Sequence, residues 1–361
     1  MGCHISKGSS KAKTFKTKKF AKKIFGSSKT YTEKMFVTHD NFADSIFEKS
    51  DVKKDTSKME EVSKLSGEPT IRYSEDVSKL TKESSTTAIR TDEDLFPIPE
   101  KDYGGDRLAL QHHLFKYLWQ SNFSASVEEK LKTGATVLDF GCGTVTWLID
   151  LSSQYPNSKF FGVDQPYLLR VSTPTIPSNV TVQYYDILLS GLPFEDETFD
   201  FVYMRFMTGE IPEKQTERII NEFLRVLKVG GYLEIMDIDT EGRNVGPITH
   251  DLVSSVKSYY KATEKNPSMI SKMKSIFNSN SRLTSIISEE EYCPVGNWYG
   301  NIGEIALINW TLLLRQMKNY IIPFLCVSEN EYKKMINEFV EEVDVFQTHW
   351  ISTRIYGRKL M

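Results

Sequence analysis

Cysteine is scarce in this chain. Four occur in 361 residues, Cys3, Cys142, Cys293 and Cys326, and no two form a C-x-x-C pair. That spacing argues against a disulfide scaffold and a zinc site, and it suits a reducing compartment. Long apolar runs are missing as well: none approaches the roughly 18 residues of a membrane span. No n-region, h-region and cleavage site succeed one another near Met1, so a secretory signal is not expected. No internal repeat is present. Acidic residues are absent from residues 1–30, which hold nine lysines and no arginine. Because the whole chain carries a net charge of only −3, the remainder bears about twelve net negative charges. A basic arm on an acidic body seeks an anionic surface through the arm alone. The acidic body is a poor match for a nucleic-acid partner, and none is expected.

The arm begins Met1-Gly2-Cys3-His4-Ile5-Ser6-Lys7. With Met1 removed, Gly2 and Ser6 fit the myristoylation pattern, and Cys3 is a candidate for palmitoylation. One acyl chain binds a membrane only marginally, so a second signal is needed. Either Cys3 or the polybasic run supplies it, each lysine contributing about 1 kcal/mol near an anionic leaflet. The expected location is therefore cytoplasmic, at the membrane periphery through a lipid anchor. The alternative is a soluble protein of cytoplasm or nucleus with a solvated basic tail. Residues 31–95 are rich in Ser, Thr, Lys, Asp and Glu and read as a disordered linker. Residues 96–361 read as the folded domain.

The folded part is organised around Thr136–Gln165, TVLDFGCGTVTWLIDLSSQYPNSKFFGVDQ. Thr136 to Phe140 has the apolar, β-branched pattern of a buried parallel strand. Gly141 and Gly143 follow, which let the backbone turn tightly and approach a ligand. Thr144 is positioned to cap a helix with Trp147, Leu148 and Leu151 on one face. Lys159 to Val163 is a second strand, closing on Asp164. Ligands of such units lie beyond the carboxyl ends of the strands, at the helix N-terminus. Asp139 and Asp164 frame the turn, and an ionised acid at the second strand's end suits a ribose diol. A dinucleotide fingerprint requires glycine at position 146, where Thr146 stands, so a nicotinamide-dependent reductase is the weaker reading.

Asp139-Phe-Gly141-Cys-Gly143-Thr-Val145 resembles motif I of the class I S-adenosylmethionine-dependent methyltransferases, with valine at the third glycine. The resemblance extends to Gly191-Leu-Pro-Phe before Phe199-Asp-Phe-Val, and to RVLKVGGYLEI, similar to the family's LKPGG turn. It implies an α/β, doubly wound, seven-stranded and mostly parallel sheet with a helical cover, its last strand antiparallel. It implies S-adenosyl-L-methionine as cofactor, held by Asp139, Gly141, Cys142, Gly143, Asp164, Gln165, Asp186, Ile187 and Met204. In the family's pattern Asp186 accepts from the adenine amino group and the Ile187 N–H meets a ring nitrogen. RLALQHHLFKYLW and VGNWYGNIGEIALINW are similar to a fungal methyltransferase group that includes regulators of secondary metabolism.

The remaining pattern supplies expected elements. Helices are expected at about 106–120 and 126–131. Beyond the second strand they are expected at 212–228, 250–265, 269–278 and 302–320, and from a cap at Ser328 to about Val340. Strands are expected at 180–187, 199–205, 232–238, around 292–298, and at 347–356. Tyr103, Asp106, Arg107 and His113 are placed to line the site. Methyl transfer needs positioning above all, with a base when the acceptor is a hydroxyl or an ammonium. Candidate bases are His113, Glu210, Asp237, Asp239 and His250. The Asn/Asp-Pro-Pro-Tyr tetrapeptide of amino-methylating relatives is absent, Tyr203-Met-Arg-Phe standing in its place. The acceptor is expected to be a small molecule or a protein. The alternative, motivated by Val145, is a membrane-anchored scaffold that keeps the fold without turnover.

Gly2→Ala tests the arm. The variant is expected to leave the membrane pellet for the supernatant on fractionation, and unchanged partitioning would remove the lipid argument.

Overall fold

The computed structural model describes residues 107–164, 176–185, 191–207 and 209–360. The basic arm with Gly2 and Cys3, the linker, Tyr103, Asp106, Gln165, Asp186 and Ile187 lie outside the described residues.

Seven strands form one sheet in the order β3-β2-β1-β4-β5-β7-β6. They are β1 (Thr136–Phe140), β2 (Lys159–Asp164), β3 (Val180–Tyr184), β4 (Phe199–Arg205), β5 (Leu227–Ile238), β6 (Leu283–Pro294) and β7 (His349–Lys359). The first five pair in parallel, and β7 runs antiparallel between β5 and β6. The expected doubly wound, mostly parallel sheet is therefore what forms. β1 is buried on both faces from Val137 to Phe140, which is why its sequence is a continuous apolar run rather than an alternation.

One face of the sheet is apolar. Leu138, Phe140, Val202, Met204, Leu233 and Ile235 belong to a core shared with Ile219, Ile220, Phe223 and Leu224 of helix α4 (Thr216–Val226). Phe140 and Phe223 meet edge to face, with ring centroids 4.8 Å apart. The other face is mixed. There α3 (Thr146–Gln154) lays Trp147 flat on Tyr203, centroids 4.2 Å apart and planes within 8°. Gly162 of β2 makes this packing possible, because a Cβ there would come within 2.8 Å of the Cys142 Sγ and 2.7 Å of Leu148. Helices α1 (Arg107–Leu118) and α2 (Glu128–Thr133) precede β1.

A cover is built from α5 (Pro247–Ala262), α7 (Gly300–Gln316), α8 (Lys318–Leu325) and α9 (Glu329–Phe346), while α6 (Met269–Ser279) belongs to the core through Met273 and Phe277. Ser328 caps α9 as expected, in a reciprocal capping box with Glu331. Glu342 of α9 accepts from the backbone N–H groups of Ile248 (3.0 Å) and Thr249 (2.6 Å) and from the Thr249 hydroxyl (2.8 Å). A distant carboxylate thus satisfies the free donors of the α5 N-terminus.

Three boundaries differ from the sequence expectation. Helix α4 stops at Val226, and Leu227 is already extended and paired with Phe199. The Lys228 ammonium bonds the Asp200 carboxylate at 3.0 Å, which fixes this segment to the sheet. Strand β6 starts at Leu283 rather than near Tyr292. It is an edge strand carrying Glu289, Glu290 and Glu291, so its composition hides the strand pattern. The long helix expected at 302–320 breaks at Met317 into α7 and α8. Among the described residues no helix is long and apolar enough to cross a membrane.

Glu342→Ala leaves two helix-end N–H groups without their acceptor. We expect a loss of about 2–3 kcal/mol in urea denaturation, and a change under 0.5 kcal/mol would show that the tie is not stabilising.

Candidate functional site

The turn after β1 is held by its own backbone. The Gly141 and Cys142 N–H groups both donate to the Val163 carbonyl, at 2.9 and 3.2 Å, so the turn folds over the end of β2. Gly143 N–H donates to the Asp164 Oδ2 at 2.6 Å. Gly141 has φ +76°, and a Cβ on it would lie 2.4 Å from the Met207 Sδ. Glycine there is what lets the Met207 side chain pack against the turn. Thr144 does not cap α3 as expected. Its hydroxyl meets that of Thr146 at 3.0 Å, and the N-cap is Val145, in the left-handed region at φ 65°. A β-branched residue there is strained by roughly 1–2 kcal/mol. Burial of its side chain offsets that cost.

Beyond the turn opens a cavity of about 320 Å³. Gly141, Cys142, Gly143 and Asp164 line one end of it, as expected from sequence. Val145 is not on this wall; it is packed into the protein. The valine at the third glycine position therefore takes no space in the cavity.

Two expected cofactor residues sit elsewhere. Met204 is 1% exposed and lies in the apolar core, on the opposite face of the sheet from the α3 contacts. Alternation along β4 turns it away, and Met207, three residues on, lines the cavity instead. Asp139 is fully buried and off the cavity wall, and its Oδ1 has no hydrogen-bond partner among the described residues. Burial pushes its carboxyl up to about 7, against the pull of Arg205, while Asp164 adds to the rise.

Of the candidate bases, Glu210, Asp237 and Asp239 line the cavity, together with Arg107. Asp237 accepts from the Ile238 N–H at 2.8 Å, and Asp239 pairs with Arg243 at 3.1 Å. Surrounding protein raises the Glu210 carboxyl, by desolvation first and by Asp164 in part. Its side chain is exposed to solvent. His113 and His250 are not on the wall, and His250 is exposed on α5 beside Asp251. Among the described residues no group of three His, Cys, Asp or Glu is placed to hold a metal.

Sequence reading missed the rest of the lining. The far end is apolar and aromatic: Leu252, Val256, Tyr260, Leu313, Trp310 and Trp350 come from α5, α7 and β7. Trp310 and Trp350 stack at 4.2 Å. Nothing in the spacing of residues so far apart along the chain joins them to the glycine turn. Arg205, on the wall at the end of β4, carried a readable signal, since a charge closing a buried strand is uncommon. Its Nη1 lies 3.1 Å from the His112 Nδ1, and His112 Nε2 lies 3.2 Å from the Asp150 Oδ2.

Comparison with known proteins agrees with this geometry. Residues 137–231 match the family model described as Methyltransferase domain. Over these residues the chain carries a methyltransferase domain, and its sheet is that of the class I S-adenosylmethionine-dependent methyltransferases. Among its relatives, Methyltransferase str3 of Strobilurus tenacellus is 24% identical over 216 residues, covering 58% of this chain and 73% of that protein. Secondary metabolism regulator laeA of Aspergillus niger is 28% identical over 151 residues, covering 41% of this chain and 38% of that protein. The likeness thus spans most of the first relative but well under half of the second. Among solved structures, Haemonchus contortus phosphoethanolamine N-methyltransferase 2 with S-adenosylhomocysteine aligns at TM-score 0.42 and 19% identity, over 70% of this chain and 58% of that one.

The methyltransferase's residues fit S-adenosyl-L-methionine. Gly141 and Gly143 line the cavity without putting a side chain into it, which leaves room for a ligand to approach the backbone. Asp164 on the wall offers carboxylate oxygen to a ribose diol. The unpartnered Asp139 oxygen adds negative potential behind a site for a cationic ligand.

Asp139→Asn tests the electrostatics without any ligand. The folded value near 7 stands above the ordinary 3.8, so this group's contribution to stability is full below about pH 4 and lost as pH rises through 7. The variant should match the parent near pH 4 and exceed it at pH 8 by about 4 kcal/mol in denaturant titrations. A gap that does not widen with pH would refute the assignment.

Proposed function

We propose that this methyltransferase acts on a small, largely apolar molecule carrying one nucleophilic oxygen or nitrogen. The observation that carries this reading is the continuity of the cavity. One continuous cavity is lined by the glycine turn at one end and by Trp310 and Trp350 at the other, with α5 and α7 supplying much of its wall. A pocket of that kind holds a small planar or aliphatic body and excludes water, and it gives a protein surface little to dock on.

When bound, S-adenosyl-L-methionine supplies an activated methyl group on a sulfonium. The chain's own residues do the rest. Gly141 and Gly143 leave the backbone accessible, and Asp164 orients the nucleoside. Leu252, Val256 and Leu313 bury the acceptor's apolar body and hold it for in-line attack. Asp237 and Glu210 stand on the wall between the two ends and are assigned to receive the acceptor's proton. Tyr260 keeps its phenol protonated, since burial raises its pKa with Asp237 and Glu210 adding to the effect, so its hydroxyl is a donor toward these acids or the acceptor.

The N-terminal arm is assigned to an anionic membrane surface, supported by its nine lysines and absence of acids. An apolar acceptor drawn from that surface is consistent with the lining of the cavity.

Incubation of the protein with radiolabelled-methyl cofactor and a cell extract tests the acceptor class. Label is expected in the organic-soluble fraction and to fall at least about tenfold with Asp237→Asn plus Glu210→Gln. Label confined to precipitated protein would overturn the small-molecule reading.

A further inference from the structure

We propose that Arg205 receives the carboxylate at the amino-acid end of the cofactor, and that His112 is the positioning residue that aims it. The proposal rests on the cofactor reading above.

Arg205 is a cation on the cavity wall with no carboxylate in direct contact among the described residues. Among those residues its guanidinium makes one hydrogen bond, to His112, and lies 5.8 Å from the centre of the Phe206 ring, while Asp139 and Asp150 act on it only at longer range. Among the described residues no carboxylate comes within 4.0 Å of it. A guanidinium does not lose its proton to escape this situation, although burial pulls its pKa below the usual value. A desolvated and unpaired charge is costly unless a partner arrives. The planar fork of N–H groups fits a carboxylate in two parallel hydrogen bonds.

Register places Arg205 at the turn end of the cavity. Phe140 pairs with Met204, so Arg205 stands one residue beyond, level with Gly141. The aromatic end is supplied by α7 and β7, away from this point. The anion that meets Arg205 therefore belongs to the ligand seated on the glycine turn.

His112 fixes the orientation. Arginine has no acceptor, so the contact at 3.1 Å requires the His112 Nδ1 to accept from Arg205. The remaining proton is then on Nε2, which donates to Asp150 at 3.2 Å. Asp150 is held in turn by Lys116 at 2.6 Å and Asn122 at 2.8 Å. Burial lowers His112 to about 4 despite the Asp150 hydrogen bond, so the ring is neutral and its single tautomer is set by its neighbours. Burial works against the charge on Asp150 as well, but bonds from His112, Lys116 and Asn122 hold it well below the usual carboxylate range.

Calorimetry on the full chain with two ligands tests this. S-adenosylhomocysteine carries the carboxylate, and 5′-methylthioadenosine lacks the whole amino-acid end. Arg205→Gln is expected to weaken S-adenosylhomocysteine by about 30–100-fold and 5′-methylthioadenosine by less than about 3-fold. Arg205→Lys should fall between. His112→Ala should weaken S-adenosylhomocysteine by about 10-fold, and His112→Asn, whose amide oxygen accepts from Arg205, should recover most of it. Binding of 5′-methylthioadenosine shows that each variant is folded. Equal losses for both ligands, or none, would overturn the role of Arg205. A parent protein that binds neither ligand would overturn the cofactor reading and this inference with it.

Discussion

The Val163 carbonyl at the end of β2 accepts from two successive N–H groups of the turn, those of Gly141 and Cys142. That pair of bonds brings the end of β1 across β2 and sets where α3 begins. Everything at the site follows from it. Asp164 comes within reach of the Gly143 N–H, Met207 packs on Gly141, and the cavity starts where the sheet ends. Val145 absorbs the geometric cost. Its left-handed backbone is strained for a β-branched side chain, yet that side chain is buried away from the cavity, so packing is gained where backbone freedom is lost.

The two faces of the sheet divide the work. Below, an apolar core of strands and α4 supplies most of the hydrophobic stabilisation. Above, charges are buried in an ordered series. Arg205 is flanked by Asp139 and by the His112–Asp150 pair, and farther along Glu234 and Arg354 lie 3.6 Å apart. Glu234 also accepts from the Ser124 and Ala125 N–H groups, but burial still lifts it to about 7. Such a face costs stability and gains direction. The charges help fix how α1, β4 and β7 sit against one another, and they place a cation on the cavity wall.

The order of strands, the glycine turn and Asp164 were legible because each is local. A buried parallel strand writes its apolar run in five or six residues, and a glycine turn is contiguous with it. The three misread boundaries are those where tertiary contact overrides local pattern. Leu227 extends because Phe199 pairs with it, and β6 is a charged edge strand. Met204 was chosen for its position near the strand's end, but side-chain alternation sends it to the core. Arg205, next along the same strand, faces the cavity.

The sequence by itself determined the class of the fold, the glycine turn and the acid at the end of β2. Those depend on near neighbours along the chain. Only the tertiary structure decided which acids reach the cavity, what lines its far end and which cation stands on its wall. Leu252, Leu313 and Trp350 are separated by tens of residues and meet because α5 and α7 fold back over a sheet whose last strand inserts between two others. Residue type along the chain carries no record of that return, because packing selects for size and polarity and not for sequence distance.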